Sequence, residues 1–445
     1  MRTYFDQSLP KLVSIVASQL GEATFRESVV LRDSSGRLTF FSSQVLDEET
    51  RKSLSAQLIA EVSPYIRSDR PVVDASETVF SESIQSGVRL SITLGNVHVS
   101  VLDRRLVGMD WLTPPEENEP VCPRFAFMSF KGGVGRSTAL SIAAAHLANQ
   151  GRNVLVVDLD LEAPGLGAML LDEKTLPRFG MIDGLVENNF GKLSREFLAD
   201  MVGPSSLAQQ GRIDVVPAFG RESLQNPGEI LSKLARAYVD DIREEKILSM
   251  RDQVRELIAD LEGASRYDAV LVDARAGLNE STAASLLGLS ANVYLFGLNE
   301  RQTFQGYAAL LAHLRRLTYP GRPSAWLDRF FVVQAKAGDH ADQREFKERW
   351  SELLRKSWIQ EASASNVVSL PAEPFGDVPW DETPVSVEKN EFAEFGVPVA
   401  ILQDTRFVNF DPFARRTLIA QNEYWPVYSQ FLAELQLRVD GVRGK

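Results

Sequence analysis

The sequence predicts an α/β protein with a mostly parallel sheet flanked by helices, preceded by a small α+β domain. Three observations carry this. After residue 120, short apolar runs alternate with helical stretches, the texture of strand–helix–strand units whose sheet is covered on both faces. Before residue 113 the segments are mixed, with paired strands beside two helices. Between them, Thr113-Pro114-Pro115-Glu116-Glu117-Asn118-Glu119-Pro120 holds three prolines and three carboxylates, which leaves neither a helix nor a paired strand available. The expected division is therefore a domain of unknown role over 1–112, a linker over 113–120 and the α/β domain over 121–445.

In the first domain, 8–20 and 48–64 read as helices. Residues 27–32 and 37–42 read as strands joined by Asp33-Ser34-Ser35-Gly36, and 88–94 and 97–103 alternate like paired strands around Gly95-Asn96. In the second, strands are expected at 124–129, 153–158, 212–216, 268–273, 292–297 and 329–333. Residues 228–262, from Pro227-Gly228 to Gly263, read as a long, charged helical insertion. No internal repeat interrupts this order.

The 445 residues are 44% hydrophobic and 24% charged, which excludes disorder, collagen and coiled coil as whole-chain descriptions. With 48 basic against 60 acidic residues the net charge is −12, so an indiscriminate nucleic-acid binder is disfavoured. Cys122 is the only cysteine, which removes intrachain disulfides and cysteine-based zinc cages and fits a reducing compartment. Asp6 and Lys11 interrupt the N-terminal apolar residues, and no window reaches the roughly 18 apolar residues of a spanning helix. A cytoplasmic protein with no transmembrane segment is expected.

The sharpest chemical signal is Phe130-Lys131-Gly132-Gly133-Val134-Gly135-Arg136-Ser137-Thr138, lying between the apolar strand at 124–129 and a helical run from Ala139. A loop that cradles phosphate turns its backbone N–H groups inward, and glycines at 132, 133 and 135 allow the dihedrals and the close approach this needs. The helix that follows offers free N–H groups and its positive dipole end to the same anion. Ser137 supplies a hydroxyl suited to magnesium. The strict pattern G-x-x-x-x-G-K-[ST] fails twice, with Phe130 at the first glycine and Arg136 at the lysine. A glycine-rich turn without a ligand is the bland alternative.

Two further segments agree with the ligand-binding reading. Val154 to Asp158 is a buried strand that runs into Asp158 and Asp160, and Asp268 to Asp273 is an apolar strand ending in a carboxylate before Arg275 and Gly277. Magnesium takes octahedral oxygen ligands and keeps several waters, so carboxylates at strand ends beside the loop suit it. Helix capping is the rival role for any one of these aspartates.

Together the three segments resemble the ParA/MinD family of dimerising ATPases, whose loop reads K-G-G-x-G-[K/R]-[ST]-[ST]. The resemblance covers roughly residues 122–440 and implies a P-loop NTPase fold that uses ATP and Mg2+. It implies that Lys131 reaches across a dimer interface, that Asp160 positions the attacking water, and that Ser137, Asp158 and Asp273 attend the metal. Residues 131–138 and the Gly277 N–H would hold the phosphates, and Gln334 would contact the base where the family places an asparagine. Arg136 departs from the family's usual lysine. It keeps the charge on a bulkier, planar fork, so binding is expected to survive and turnover to be slow. Arg275 is a candidate internal charge stabiliser or a salt-bridge partner.

The resemblance further implies a homodimer in the ATP-bound state. A protein partner would be recruited through the N-terminal domain or residues 228–262, in a partitioning, positioning or defence system. A nucleotide-gated scaffold with negligible turnover is the alternative. DNA remains open as a partner that the charge does not support, and the C-terminal apolar stripe from Tyr424 to Arg438 reads as a helix docked on the core.

Overall fold

The computed structural model describes residues 2–77, 89–105, 107–243, 246–264, 267–317, 325–359 and 397–441. They fall into two compact units, Met1–Pro114 with Ala312–Pro323, and Pro115–Leu311 with Ser324–Lys445.

The first unit contains α1 (Phe5–Leu20), β1 (Val29–Arg32), β2 (Leu38–Phe41), α2 (Glu48–Val62), β3 (Val72–Val73), β4 (Arg89–Leu94) and β5 (Val97–Asp103). Its sheet runs β3-β2-β1-β5-β4, with hairpins at β1–β2 and β4–β5 and a parallel β1–β5 pair. Helix α1 begins at Phe5 because Gln7 Oε1 accepts the Tyr4 N–H at 3.2 Å. Leu9, Leu12, Val13 and Val16 of α1 and Leu54, Leu58 and Val62 of α2 are buried at helical spacing.

In the second unit eight strands form one sheet: β6 (Arg124–Ser129), β7 (Asn153–Asp158), β8 (Gly203–Pro204), β9 (Arg212–Val216), β12 (Ala269–Asp273), β13 (Asn292–Gly297), β14 (Phe330–Ala337) and β15 (Val399–Leu402). The order is β15-β14-β13-β6-β12-β7-β9-β8, parallel except for β8 against β9. This is the mostly parallel, helix-flanked sheet expected. The helices are α3 (Arg136–Asn149), α4 (Leu166–Leu170), α5 (Met181–Asn188), α6 (Arg195–Asp200), α7 (Arg221–Gln225), α8 (Ile230–Ala237), α9 (Met250–Ala264), α10 (Glu280–Leu287), α11 (Arg301–Arg316), α12 (His340–Leu354) and α13 (Gln421–Gly441).

Helix α3 is apolar on every side and is buried accordingly, between the sheet and α13. On that side Phe127, Tyr294 and Phe296 meet Phe431 of α13 edge-on, with ring centroids 5.3–6.0 Å apart. The C-terminal stripe thus docks on the core. No helix among the described residues is long and apolar enough to cross a membrane.

Residues 228–262, expected as a long, charged helical insertion, are helical toward both ends but not throughout. Helix α8 is followed by a hairpin, β10 (Asp241–Arg243) with β11 (Lys246–Leu248), and then by α9. Helix α9 buries Val254, Leu257, Ile258 and Leu261, and its Glu262 makes a buried two-pronged ion pair with Arg124 of β6 at 2.7 Å. It is therefore the crossover helix that leads into β12. The segment from Pro227 to Leu248, with α8 and the hairpin, precedes it.

The segment expected as a linker also differs. Glu116 N–H donates to Leu287 O, its carbonyl accepts from Ser290 Oγ and Arg329, and its carboxylate pairs with Arg255 at 3.1 Å. The prolines exclude regular structure as anticipated, but from Pro115 onward the chain is fastened into the second unit.

Candidate phosphate-binding site

Strand β6 ends at Ser129 and α3 begins at Arg136, so the loop occupies the carboxyl edge of the sheet. Gly133 and Gly135 have φ of +74° and +96°, and a Cβ at either would meet nothing within 4 Å. Backbone conformation, not space, demands glycine there. No side chain caps the N-terminus of α3, which leaves its first N–H groups directed to the loop's concavity. That concavity is a cavity of about 630 Å³, in the size range of small-molecule sites. Residues 131–138, Asp160 and Ala276 line one side. Ala335, Lys336 and much of the 401–410 segment line the other.

Register then fixes the carboxylates. Strands β12 and β7 are neighbours with Asp273 opposite Asp158, and both are buried. Ser137 Oγ donates to Asp273 Oδ2 at 2.5 Å. Asp158 accepts N–H bonds from Asp160 and Leu166 at 3.1 Å and from Gly165 at 3.3 Å, so it also anchors the segment after β7. Burial, reinforced by Asp273, pushes the Asp158 carboxyl up to about 8.

Arg136 occupies the centre. Only 8% of it is exposed. One arm donates to Asp160 Oδ2 at 3.0 Å, and its Nε forms an ion pair with Asp273 Oδ1. Burial works against the guanidinium's charge, but Asp273 and Asp160 outweigh it and hold the group above its ordinary value. Sequence reasoning placed this arginine against phosphate; here it neutralises two of the site's own carboxylates.

Other expected residues fall in three ways. Lys131 extends to Glu300 Oε2 at 2.8 Å with nearly half its side chain exposed, while Thr138 lines the cavity and Val134 packs into the core. The Gly277 N–H, expected on phosphate, donates instead to Ser129 O at 2.8 Å, in a turn where φ is +90°. Gln334 is also corrected. Its side chain is buried on the other face of β14, donating to Asp342 at 2.7 Å, and successive strand residues face opposite ways. Ala335 and Lys336 reach the cavity in its place.

Several residues escaped the sequence reading. Lys336 adopts φ +51° and donates from Nζ to Gly133 O at 2.6 Å, joining the two sides of the cavity. Period-two alternation would set Lys336 on the face of Gln334, and the irregular pairing of β14 with β15 after Gln334, with its positive φ, turns it to the cavity instead. Gln403, Asp404, Thr405 and Phe407 follow β15 with no motif to mark them. Arg275 takes the salt-bridge role, since its guanidinium meets Glu162 Oε1, which also accepts from Tyr238 OH at 2.6 Å. A single carboxylate thus ties the segments after β7 and β12 to the end of α8.

Among the described residues no group of three or more His, Cys, Asp or Glu side chains could hold a metal by itself. The donor set fits magnesium in its usual manner, with a hydroxyl from Ser137, a carboxylate close behind it and the remaining ligands from water and phosphate oxygens. Among the described residues Asp160 Oδ1 is buried without a hydrogen-bond partner.

A family model described as ParA: NUBPL iron-transfer P-loop NTPase matches residues 121–200. No curated protein matches the chain. Among solved structures, a ParA family ATPase from Chlorobium tepidum TLS is 21% identical and covers 51% of this chain and 79% of its own, with a TM-score of 0.36. The MinD cell division protein of Aquifex aeolicus is 13% identical over 73% of this chain and 98% of its own, with a TM-score of 0.39. The septum site-determining protein MinD of Pyrococcus horikoshii OT3, complexed with Mg-ADP, is 20% identical over 48% and 82%, with a TM-score of 0.33. Over residues 121–200, which hold β6, the phosphate loop, α3 and the first aspartate pair, the chain is similar to the ParA P-loop NTPase family, and the rest of the second unit continues the same mostly parallel, helix-flanked sheet.

Proposed function

We propose that the second unit binds ATP with Mg2+, hydrolyses it slowly and acts as a nucleotide-dependent dimerisation switch that recruits a protein partner. The observation that carries this is the loop itself: two glycines in left-handed conformation deliver the chain onto an uncapped helix N-terminus, with Ser137 bonded to Asp273 at its side. Backbone N–H groups from Gly132 to Thr138 hold the phosphates. Ser137 and Asp273 serve the cation, and Asp158 keeps the segment carrying Asp160 in place. Held there, a magnesium ion would supply positive charge against that developing on the phosphates. Asp160 orients the attacking water. Lys131, exposed and held only by a surface pair, is free to leave Glu300 for a second subunit's nucleotide.

Recruitment is assigned to the Pro227–Leu248 segment. Leu231, Val239 and Ile247 are each more than half exposed there, and Tyr238 ties the segment to Glu162 and so to Arg275. The partner would belong to a partitioning, positioning or defence system in the cytoplasm.

Phosphate release from ATP tests the enzyme. Slow release that Asp160→Ala abolishes is expected. Light scattering with and without ATP and Mg2+ tests the switch, and an unchanged monomer mass would remove the Lys131 role. A second reading, a nucleotide-gated scaffold with negligible turnover, is favoured by the Arg136–Asp160 pair, which occupies the residue meant for water. Binding without phosphate release in either protein would select it.

A further inference from the structure

Arg136 is the first residue of α3, yet its side chain is sequestered among carboxylates from two strand ends, Asp160 just beyond β7 and Asp273 closing β12. An ammonium is a compact point charge; the planar fork of an arginine can address two acceptors at once in fixed geometry. The arginine at this position therefore does something that the lysine it replaces does less well. It cross-links two acidic strand ends and leaves the buried site with its own positive charge.

The location matters as much as the pairing. Asp273 is also the acceptor of Ser137 Oγ, so guanidinium and hydroxyl converge on one carboxylate, Nε at Oδ1 and Oγ at Oδ2. A divalent cation seated beside Ser137 would share Asp273 with a buried positive charge, in surroundings that screen the repulsion poorly. Phosphate changes the balance. Its oxygens match the guanidinium bidentately, and Arg136 lines the same cavity as the loop's N–H groups, so the side chain can exchange carboxylates for phosphate without leaving the site.

We propose that Arg136 is the site's resident counter-cation: it excludes divalent metal from the nucleotide-free protein, and metal is admitted only after a phosphate has drawn the guanidinium from Asp160 and Asp273. Binding is thereby ordered, phosphate before metal. The proposal rests on the nucleotide-binding reading of this cavity, and it concerns a different observable.

The probe is Mn2+, titrated into the full chain without nucleotide and followed by the loss of its free electron paramagnetic resonance signal. The wild type is expected to leave Mn2+ free. Arg136→Gln, with circular dichroism confirming its fold, is expected to bind Mn2+ at least about tenfold more tightly, because the charges of Asp160 and Asp273 then stand without the guanidinium that offsets them. If that variant does not fold, Arg136→Lys replaces it, and a several-fold gain over wild type is expected. Wild-type Mn2+ binding as tight as that of the folded variant, or no binding by either, overturns the proposal. ADP binding in chelator is measured in parallel on the wild type. A protein that ignores ADP while showing the expected Mn2+ difference would sink the nucleotide reading and leave the counter-cation role standing. A protein that binds ADP but takes up Mn2+ regardless of residue 136 would do the reverse.

Discussion

The two walls of the cavity are built by different means. On the loop side, conformation and buried charge set the surface: left-handed glycines, a helix end and carboxylates whose partners lie in the core. On the far side, partly exposed charged side chains pair among themselves, as Asp404 does with Arg406 and Arg406 with Glu423, and Lys336 reaches across to the loop. The first wall cannot be changed without disturbing the fold. The exposed residues of the second, unlike its buried Ile401, Phe410 and Tyr428, can be altered at little cost in stability, so they are where a ligand's less demanding half can be accommodated.

Asp273→Ala should separate the walls most sharply. It strips one partner from a buried guanidinium and the acceptor from Ser137, so unfolding by denaturant should show a loss of about 3–5 kcal/mol, together with loss of magnesium-dependent nucleotide binding. A loss below about 1 kcal/mol would place Asp273 with surface pairs. Next is Gly135→Ala, which forces a side chain into φ +96°. A cost of roughly 1–2 kcal/mol is expected, with nucleotide affinity, measured by calorimetry, falling more than about tenfold as the loop loses its shape.

The pH response should also belong to the loop wall. The Asp158 carboxyl is raised in the folded state to about 8, so between its unfolded value and that point the folded protein holds the extra proton. Stability of the unliganded protein should therefore fall as pH rises through that window. Asp158→Asn should flatten the slope between pH 5.5 and 8 in denaturant titrations; an unchanged slope would clear Asp158 of the effect.

On the far wall the effects shrink. Lys336→Ala removes only the tether to Gly133 O, and nucleotide affinity should drop by less than about tenfold with stability nearly unaltered. Gln334→Ala should leave nucleotide affinity within about twofold, since its amide belongs to Asp342. A larger loss would return the base contact to that residue.

This division also governs what could be read from the sequence. The loop wall was legible because phosphate chemistry demands particular residue types at fixed spacing: glycines where φ is positive, a hydroxyl one step into the helix, aspartates at strand ends. Apolar runs located six of the eight strands of the large sheet for a similar reason, burial on both faces. The two missed, β8 and β15, are short edges. The hairpin within 228–262 was hidden because charged residues such as Arg243 and Lys246 suit an exposed two-stranded ribbon as well as a helix. The Gln334 assignment failed by one residue, the interval that turns a strand side chain to the opposite face. Arg136's pairing was hidden for a different reason: it depends on Asp160 and Asp273, 24 and 137 positions away, arriving at one point.

Phe130, which stands where the strict phosphate-loop pattern has its first glycine, sets its ring edge-on against Tyr307 with centroids 4.9 Å apart, and a Cβ added at Gly306 would land in that ring. The phenylalanine at that position is thus complemented by a glycine elsewhere, on α11. In related chains the two sites should vary as a pair, with any side chain at 306 accompanied by something smaller than phenylalanine at 130. An alignment can therefore test whether a relative shares this loop architecture before any of its ligands is known.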